Sequence, residues 1–488
     1  MKRHPVFGRG AVAAALALTL ASISSAAVLS LDDAIRLALQ RNQRLKVSAF
    51  DPQVARANVL AAYGGFDPAI TFRRNYSQEH DAVAISPLVT QFTRTDDYAL
   101  SLGGLTPWGL SYSLNATATN QRGDFNRFSN NFITFGGVSV TQPLLRGFGF
   151  GANLANLRIA KADRGISEWE YRQTVIDTVT NVILAYNNVA LARENVRIAQ
   201  LSRDLAAQLV QQNERRNKFG QMSDADVLQA RARLATRDEG VLLSQRAADD
   251  LQNSLRELVG ESQFPVDGPA IELDSLPPAT PLTVSAAEDL KKAFALRPDY
   301  QAARLGVARR RASSAQANNQ LLPRVDFVGS YGYNGFSSDF ATARQQVRDQ
   351  DVRAYSAGLV VSIPITFAEG RGRARAARLG VRQSEADLVR LEQDIALDVS
   401  AAAGQIETTR ARVLANRKAL DLSQQSLDAE QKKFQAGTSS TFLVLQAQEQ
   451  LTSVQSSYVR ALADERRAVA TYEHELGVTL EAHGIKLD

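Results

Sequence analysis

Hydrophobic positions along the 488-residue chain follow two periods. The first alternates steps of three and four, the pattern of a helix packed along a seam. From Val227 it runs through Ala230, Leu234, Arg237, Val241, Ser244, Ala248 and Leu251 to Leu255. From Val444 it runs through Ala447, Leu451, Val454, Tyr458, Ala461, Glu465 and Ala468 to Tyr472. The copies lie 217 positions apart and coincide without a gap, between Gly220 and Gly260 in one and Gly437 and Gly477 in the other. A proline-free stretch precedes each seam, from near Ala152 to near Lys218 and from near Arg371 to near Gln435. Each predicts a helix about 100 Å long at about 1.5 Å per residue. Val175, Val179, Val182, Tyr186 and Val189 carry the seam in the first, and Leu388, Leu391, Ile395 and Val399 open it in the second. No compact domain hides such a helix, so it must lie lengthwise against other long helices.

The second period is two. Val325, Phe327, Tyr331 and Tyr333 share a face opposite Asp326, Ser330 and Asn334. Tyr355, Ala357, Leu359, Val361 and Ile363 oppose Ser356, Gly358 and Ser362, and Trp108, Leu110, Tyr112 and Leu114 oppose Ser111, Ser113 and Asn115. A greasy aromatic face backed by a polar one suits a transmembrane barrel with its apolar side outward. Periodicity alone fits a soluble sandwich equally well. One strand pair per half is too few to close a water-filled barrel, so several chains must each contribute an arc to a symmetric ring.

The same order of elements occurs twice. Leu31 to Leu45 parallels the stretch from Ala287, with Asp33 and Arg41 falling on Asp289 and Arg297. Each half reads as a short helix, strands, a very long helix, a tip and a shorter helix. The boundaries are a signal segment at 1–27, a first repeat at 28–260 with its tip near 220, a Pro-rich linker at 261–284, and a second repeat at 285–488 with its tip near 437.

Composition narrows the compartment. Lys2, Arg3 and Arg9 precede the apolar run Ala11 to Leu20, and small residues end at Ala26-Ala27, the layout of a cleaved secretory signal. No later run has 18 consecutive apolar residues, so any membrane passage must use strands. There is no cysteine, which excludes disulfides, zinc–cysteine sites and a lipidated N-terminal Cys. The formal charge of +5 falls to +2 without the three signal cations, with both signs interspersed, and does not point to nucleic acid.

Motifs for chemistry are missing. His474 in Glu473-His474-Glu475 does not match zinc-protease spacing and reads as an exposed helix residue. Gly147-Phe148-Gly149-Phe150-Gly151 lacks the βαβ setting of a phosphate loop and reads as a joint between strand and helix. No catalytic residue, cofactor or metal site is expected. Arg371, Arg375, Arg378 and Arg382 share a helix face, which is either a solvated outer stripe or a positive collar inside a tunnel.

Taken in order and in duplicate, these pieces resemble the TolC-like outer membrane efflux proteins over essentially the whole mature chain. The carrying residues are Leu31-Asp32-Asp33-Ala34-Ile35-Arg36-Leu37-Ala38-Leu39, the strand-to-helix transitions at Gln142-Pro143-Leu144-Leu145 and Ser362-Ile363-Pro364-Ile365, and the two tips from Phe219 and Phe434. The resemblance implies an internally duplicated α+β membrane protein without enzymatic activity. Each protomer would give four strands to a 12-stranded outer-membrane barrel shared by a homotrimer, continuing into a periplasmic α-helical coiled-coil tunnel. A periplasmic adaptor and an inner-membrane pump of RND or ABC type would dock at the tips, completing an efflux or type I secretion system, with outer-membrane lipid around the barrel. The remaining alternative is an adaptor or other coiled-coil scaffold without a pore.

The tips depart from the family pattern. Acidic residues of the second tip ring the family's constriction, but Leu443 and Gln446 stand there in this chain. Asp226 holds the corresponding place in the first tip, with Gln229 three later; Phe434 replaces a tyrosine and Ser439 an arginine of the family's lock. Asp226 is expected to find a hydroxyl partner such as Ser439. Gly220, Gln221, Met222 and Ser223, with Gly437, Thr438, Ser439 and Ser440, are the small or uncharged residues expected to meet the adaptor. The stretch 98–120 exceeds what four strands need, leaving an extended loop or an extra hairpin open.

Overall fold

A computed structural model describes residues 29–83, 89–260, 273 and 284–486. The signal segment at 1–27 and the linker at 261–284, apart from Leu273 and Val284, lie outside the described residues. The helices are α1 (Leu31–Arg41), α2 (Gln43–Ser48), α3 (Asp51–Tyr63), α4 (Phe150–Asn153), α5 (Ala155–Lys218), α6 (Asp224–Val259), α7 (Ala286–Leu296), α8 (Pro298–Asn319), α9 (Phe340–Arg348), α10 (Ala368–Gln435), α11 (Thr441–Leu476) and α12 (Thr479–Ala482). The strands are β1 (Ala69–Val83), β2 (Val89–Leu105), β3 (Ser111–Gly123), β4 (Phe132–Pro143), β5 (Arg324–Ser337) and β6 (Val352–Ser362).

The two long helices have 64 and 68 residues and begin and end within a few positions of the expected ones. Each folds back on a 36-residue partner, α6 on α5 and α11 on α10. Every seam position from Val227 to Leu255 and from Val444 to Tyr472 is buried or half-buried. Hydroxyl caps start both returning helices: Ser223 accepts the Asp226 N–H and Ser440 the Leu443 N–H. Glycines in the left-handed region end them, Gly260 at φ 82° and Gly477 at φ 72°. A Cβ on Gly260 would stand 2.7 Å from the Arg41 carbonyl, and one on Gly477 3.0 Å from the Arg297 nitrogen. Only glycine satisfies both the backbone angle and the close approach. Arg41 and Arg297 are themselves repeat equivalents, so the duplication read from spacing is also a duplication of packing.

The strands form one antiparallel sheet in the order β1-β2-β3-β4-β5-β6. The six strands among the described residues exceed the four implied by the resemblance. Residues 98–120 supply the difference, because their alternation continues through the turn at Pro107-Trp108-Gly109 and makes the extra hairpin of β2 and β3. That turn is fastened to the strand-to-helix joint. Gly149 N–H donates to the Trp108 carbonyl at 2.9 Å, and the Asn153 side chain donates to the carbonyls of Gly147 and Gly149. Gly147 and Gly149 both take positive φ, so the glycine-rich run is the joint it was read as.

Register fixes the faces. Ile70, Leu102, Leu114, Val138, Tyr331 and Tyr355 form one cross-strand row, and Phe327 pairs with Leu359 and Val325 with Val361 on the same side. Behind them run Thr71, Ser101, Asn115, Ser139, Ser330 and Ser356. Tyr355 is 78 % exposed and Ile70 76 %, so the apolar side is unpacked in the single chain. From Val325 to Tyr333 that side extends about 27 Å along the strand, or about 21 Å in height at a tilt of about 40°.

Where the halves meet, α5 carries a dry seam with Val175, Val179, Val182, Tyr186 and Val189 almost fully buried. His474 of α11 reaches across it. Its Nε2 lies 2.9 Å from Asp177 Oδ1 and its Nδ1 3.2 Å from Glu475 Oε1. Glu475 also accepts from Arg297 at 2.7 Å. His474 is therefore not the exposed residue the sequence suggested; its side chain keeps 27 % exposure. Hydrogen bonds to Asp177 and Glu475 outweigh its burial and raise its pKa to about 9. Burial pushes Asp177 up, but bonds from His474 and Gln173 outweigh it and leave that carboxyl below its ordinary value.

A raised histidine stabilises the fold fully below its unfolded value of about 6.5, and the contribution is lost as pH rises through about 9. Its ceiling is about 3 kcal/mol. Thermal unfolding of the purified protein should therefore show Tm falling between pH 6.5 and 9, and His474→Gln should flatten that slope. An equal slope in the variant would remove His474 as its source.

Candidate functional site: the helical tips

Both tips turn through glycine in the left-handed region, Gly220 at φ 72° and Gly437 at φ 80°, with open space around the missing Cβ. Beside them Gln221, Ser223 and Thr438 are exposed, and Met222 packs under the turn. The tips are joined by a small apolar cluster of Leu209, Phe434, Val444 and Leu445, with Met222 against it. Phe434 is 2 % exposed, so the position held by a tyrosine in the family's lock is here a packing anchor.

A polar clamp encloses that cluster. Arg216, in the last turn of α5, donates to the carbonyls of Phe434 at 3.0 Å and Gln435 at 3.3 Å. Its guanidinium also stands 4.5 Å from the Phe434 ring centroid. The carbonyls belong to the last turn of α10, where the helix dipole and unpaired acceptors favour a cation. Asn213, fully buried, donates to Thr441 Oγ1 at 3.2 Å, tying α5 to the start of α11. Further along, Glu449 of α11 pairs with Arg233 and, at 3.5 Å, with Arg237 of α6.

The expected acidic contact is different. Asp226 accepts from Ser223 at 2.5 Å, within its own helix cap, while Ser439 donates to Glu430. Asp226 and Ser439 are thus not partners. A cap serine held three residues before an aspartate finds it locally, without a second helix. Gln229 and Gln446 line a groove between α6 and α11 with Phe442, Leu445, Arg233 and Glu449. Leu443 remains 44 % exposed, on the surface away from the cluster. Arg216, Asn213 and Glu449 were missed by sequence reasoning. Arg216 had a signal, a cation in the last turn of a long helix, but nothing in the sequence named the carbonyls it meets.

Elsewhere, Pro143 ends β4, and Pro364 follows β6 by two residues, at the transitions expected of them. Arg371, Arg375, Arg378 and Arg382 are all exposed on α10, and Arg378 donates to Asn318 of α8 at 3.0 Å.

Arg216→Ala should loosen the closed tips, removing two charge-assisted bonds and a ring contact worth about 2–3 kcal/mol together. Single-channel recording should then show a larger resting conductance, whereas Asp226→Ala, which loses only a cap bond, should stay near wild type. A resting current unchanged in Arg216→Ala would remove the clamp from the gate.

The comparisons with known proteins bear on this architecture as a whole. The model of the family described as "Outer membrane efflux protein" matches residues 107–261 and 290–477, more than two thirds of the chain. The alkaline protease secretion protein AprF of Pseudomonas aeruginosa is 25% identical over 377 residues, covering 77% of this chain and 76% of its own. Protein CyaE of Bordetella pertussis is 29% identical over 332 residues, covering 66% and 67%. The solved structure of the outer-membrane channel OprN superposes with a TM-score of 0.71 at 19% identity, covering 92% of this chain and 89% of that one. The fold is that of outer-membrane channels, with a membrane sheet and a periplasmic helical tunnel, and the family is one of exit ducts rather than enzymes. Its members work with inner-membrane pumps and adaptors in tripartite systems. The chain belongs to the outer membrane efflux protein family.

Proposed function

We propose that three copies of this chain close one outer-membrane exit duct whose barrel has eighteen strands, six from each copy. The observation that carries this is a sheet with an unpacked apolar face and two unpaired edges, β1 and β6. In hydrocarbon an open edge leaves backbone groups without partners, at several kcal/mol each. Pairing β1 of one copy with β6 of the next satisfies both edges. Elements next to those edges support the same contact. α3 leads toward β1 from a region with Val47, Phe50, Val54 and Leu60 exposed, and α10 follows β6 with Leu379, Val389 and Leu397 exposed.

In this reading Leu359 and Val361 meet lipid, while Ser356 and Ser362 face the water-filled lumen. The tips at Gly220 and Gly437 receive a periplasmic adaptor, and their small exposed residues permit close approach by its helices. Cargo delivered by the pump passes the clamp and leaves through the barrel. A pore-free coiled-coil scaffold would leave the exposed apolar face without an occupant.

The absence of cysteine permits disulfide scanning. Phe72→Cys or Tyr76→Cys on β1, combined in turn with Tyr355→Cys or Leu359→Cys on β6, should give covalent trimers from at least one pair. Cross-links between copies that join β1 to any strand other than β6 would reject the eighteen-strand closure. Leu359→Arg should cost about 2–4 kcal/mol and impair membrane assembly, while Ser362→Arg should assemble. The opposite pattern would reverse the faces. Charged bulk at Gly220 or Gly437 should abolish adaptor pull-down without dissociating the trimer.

A further inference from the structure

Above the apolar side of β1, β2 and β3, the outward face changes character abruptly. Arg94 on β2 lies directly opposite Arg122 on β3, and Gln78 on β1 directly opposite Arg94. Two residues nearer the belt, Tyr76, Asp96 and Asn120 form the next row on this face, and Arg74 with Tyr98 the one below. Directly opposed side chains have Cβ atoms about 5 Å apart, and like charges so placed destabilise a sheet unless an anion lies between them. Asp96 does not supply that anion to Arg94. It is engaged by Arg122 at 3.0 Å and by Arg74 at 3.4 Å, and its side chain is only 13 % exposed. Arg94 has no carboxylate partner among the described residues; its guanidinium stands 5.0 Å from the Phe92 ring centroid. One carboxylate thus stands among three guanidiniums, Arg74, Arg94 and Arg122, and engages only the first and last, leaving a net two positive charges on this part of the face.

Position decides what kind of anion fits. Arg94 is four residues beyond Tyr98 on the same face, about 14 Å along the strand and about 10 Å in height at a tilt of about 40°. Tyr98 and Tyr76 stand where a barrel carries its aromatic girdle, so the arginine pair lies at headgroup depth, on the side that the apolar rows turn toward lipid. An arginine fork binds a phosphate through two parallel N–H···O bonds, and two opposed forks with a neighbouring amide suit one phosphate group.

We propose that Arg94 and Arg122, with Gln78 beside them and Asp96 orienting Arg122, form a site on the outer wall of the barrel for the phosphate of an outer-leaflet glycolipid. The occupant is a phosphorylated, acylated sugar lipid: its chains lie against Ile70, Phe72, Leu100 and Leu102, and its phosphate reaches the arginine pair. The site rests on the outward assignment of the apolar face, and the two ideas fail separately.

The test uses the purified full-length protein in mild detergent, titrated with bis-phosphorylated lipid A and followed by native mass spectrometry. Wild type should retain the lipid, and Arg94→Gln/Arg122→Gln should bind it at least tenfold more weakly. Arg246→Gln, on α6 far from the sheet, should bind as wild type does. Lipid A stripped of its phosphates should bind wild type at least tenfold more weakly than the intact lipid. Millimolar inorganic phosphate should not displace it, since the acyl chains hold the lipid in place. Undiminished binding by the double variant, indifference to the lipid's phosphates, or displacement by inorganic phosphate alone would each overturn the proposal. If only the site is wrong, Leu359→Arg still fails to assemble; if the face assignment is wrong, Leu359→Arg assembles and Ser362→Arg does not.

Discussion

A peptide group that cannot reach water must find its hydrogen-bond partner within protein, and the architecture of this chain follows from that constraint. The strands carry an apolar side that belongs in lipid, where an open sheet edge is too costly to persist. The described residues supply six strands and two open edges, which in the proposed duct are completed by neighbouring copies. In that proposed assembly the helical half shares the symmetry of the barrel. α5 and α10 each emerge from the foot of a strand, β4 through the Gly147–Gly149 joint and β6 through Pro364, and then run the length of the periplasmic part beside α6 and α11. The unusual hairpin obeys the same rule. Its lower turn is bonded to the joint at Gly149, so the added strands form part of the wall and are not a loop hung above it.

Duplication makes the helical part economical in sequence terms. The same solution appears at both ends of both hairpins: glycine at the tip, a serine cap, a seam of threes and fours, and a left-handed glycine that docks on the arginine closing a short N-terminal helix. The halves diverge where they meet. His474 joins the second repeat to Asp177 of the first, and Arg297 carries Glu475 and Asp299, at 2.7 and 2.8 Å, in the place where Arg41 has no comparable network among the described residues. At the 217-residue offset His474 falls on Glu257, so exact repetition there would set a second carboxylate against Asp177. A protonated histidine between two carboxylates removes that conflict.

Much of this was legible in the chain because periodicity reports packing directly. Val179, Val182 and Tyr186 sit three and four apart because one helix face is dry; Tyr355, Ala357, Leu359 and Val361 sit two apart because one sheet face is greasy. What sequence does not encode in a period is which backbone a polar side chain meets. Arg216 is one of several cations near the end of α5, and only the fold brings it to the Phe434 carbonyl. Asp226 was expected to look outward to Ser439, yet a serine three residues upstream was already within reach. The extra strands were ambiguous for a related reason. A hairpin and a long loop can share composition, and only pairing with β1 and β4 distinguishes them.

In the proposed duct the tips would close without the family's charges. An acidic ring closes a pore electrostatically and attracts cations to it; Leu443 and Gln446 can do neither. In their place, cohesion comes from Phe434 sealed in an apolar cluster and from Arg216 on the carbonyl end of α10. These bonds join α5 to α10 within a single chain, so they hold each protomer's two hairpins together without requiring a neighbour. A partner that separates the hairpins must break a cation–carbonyl contact and expose Phe434 at the same moment. The cost is concentrated at one point on each protomer, immediately beside the small exposed residues of both tips. If a helical partner docks at Gly220 and Gly437 as proposed, the Arg216–Phe434 contact lies within the two tips it would engage.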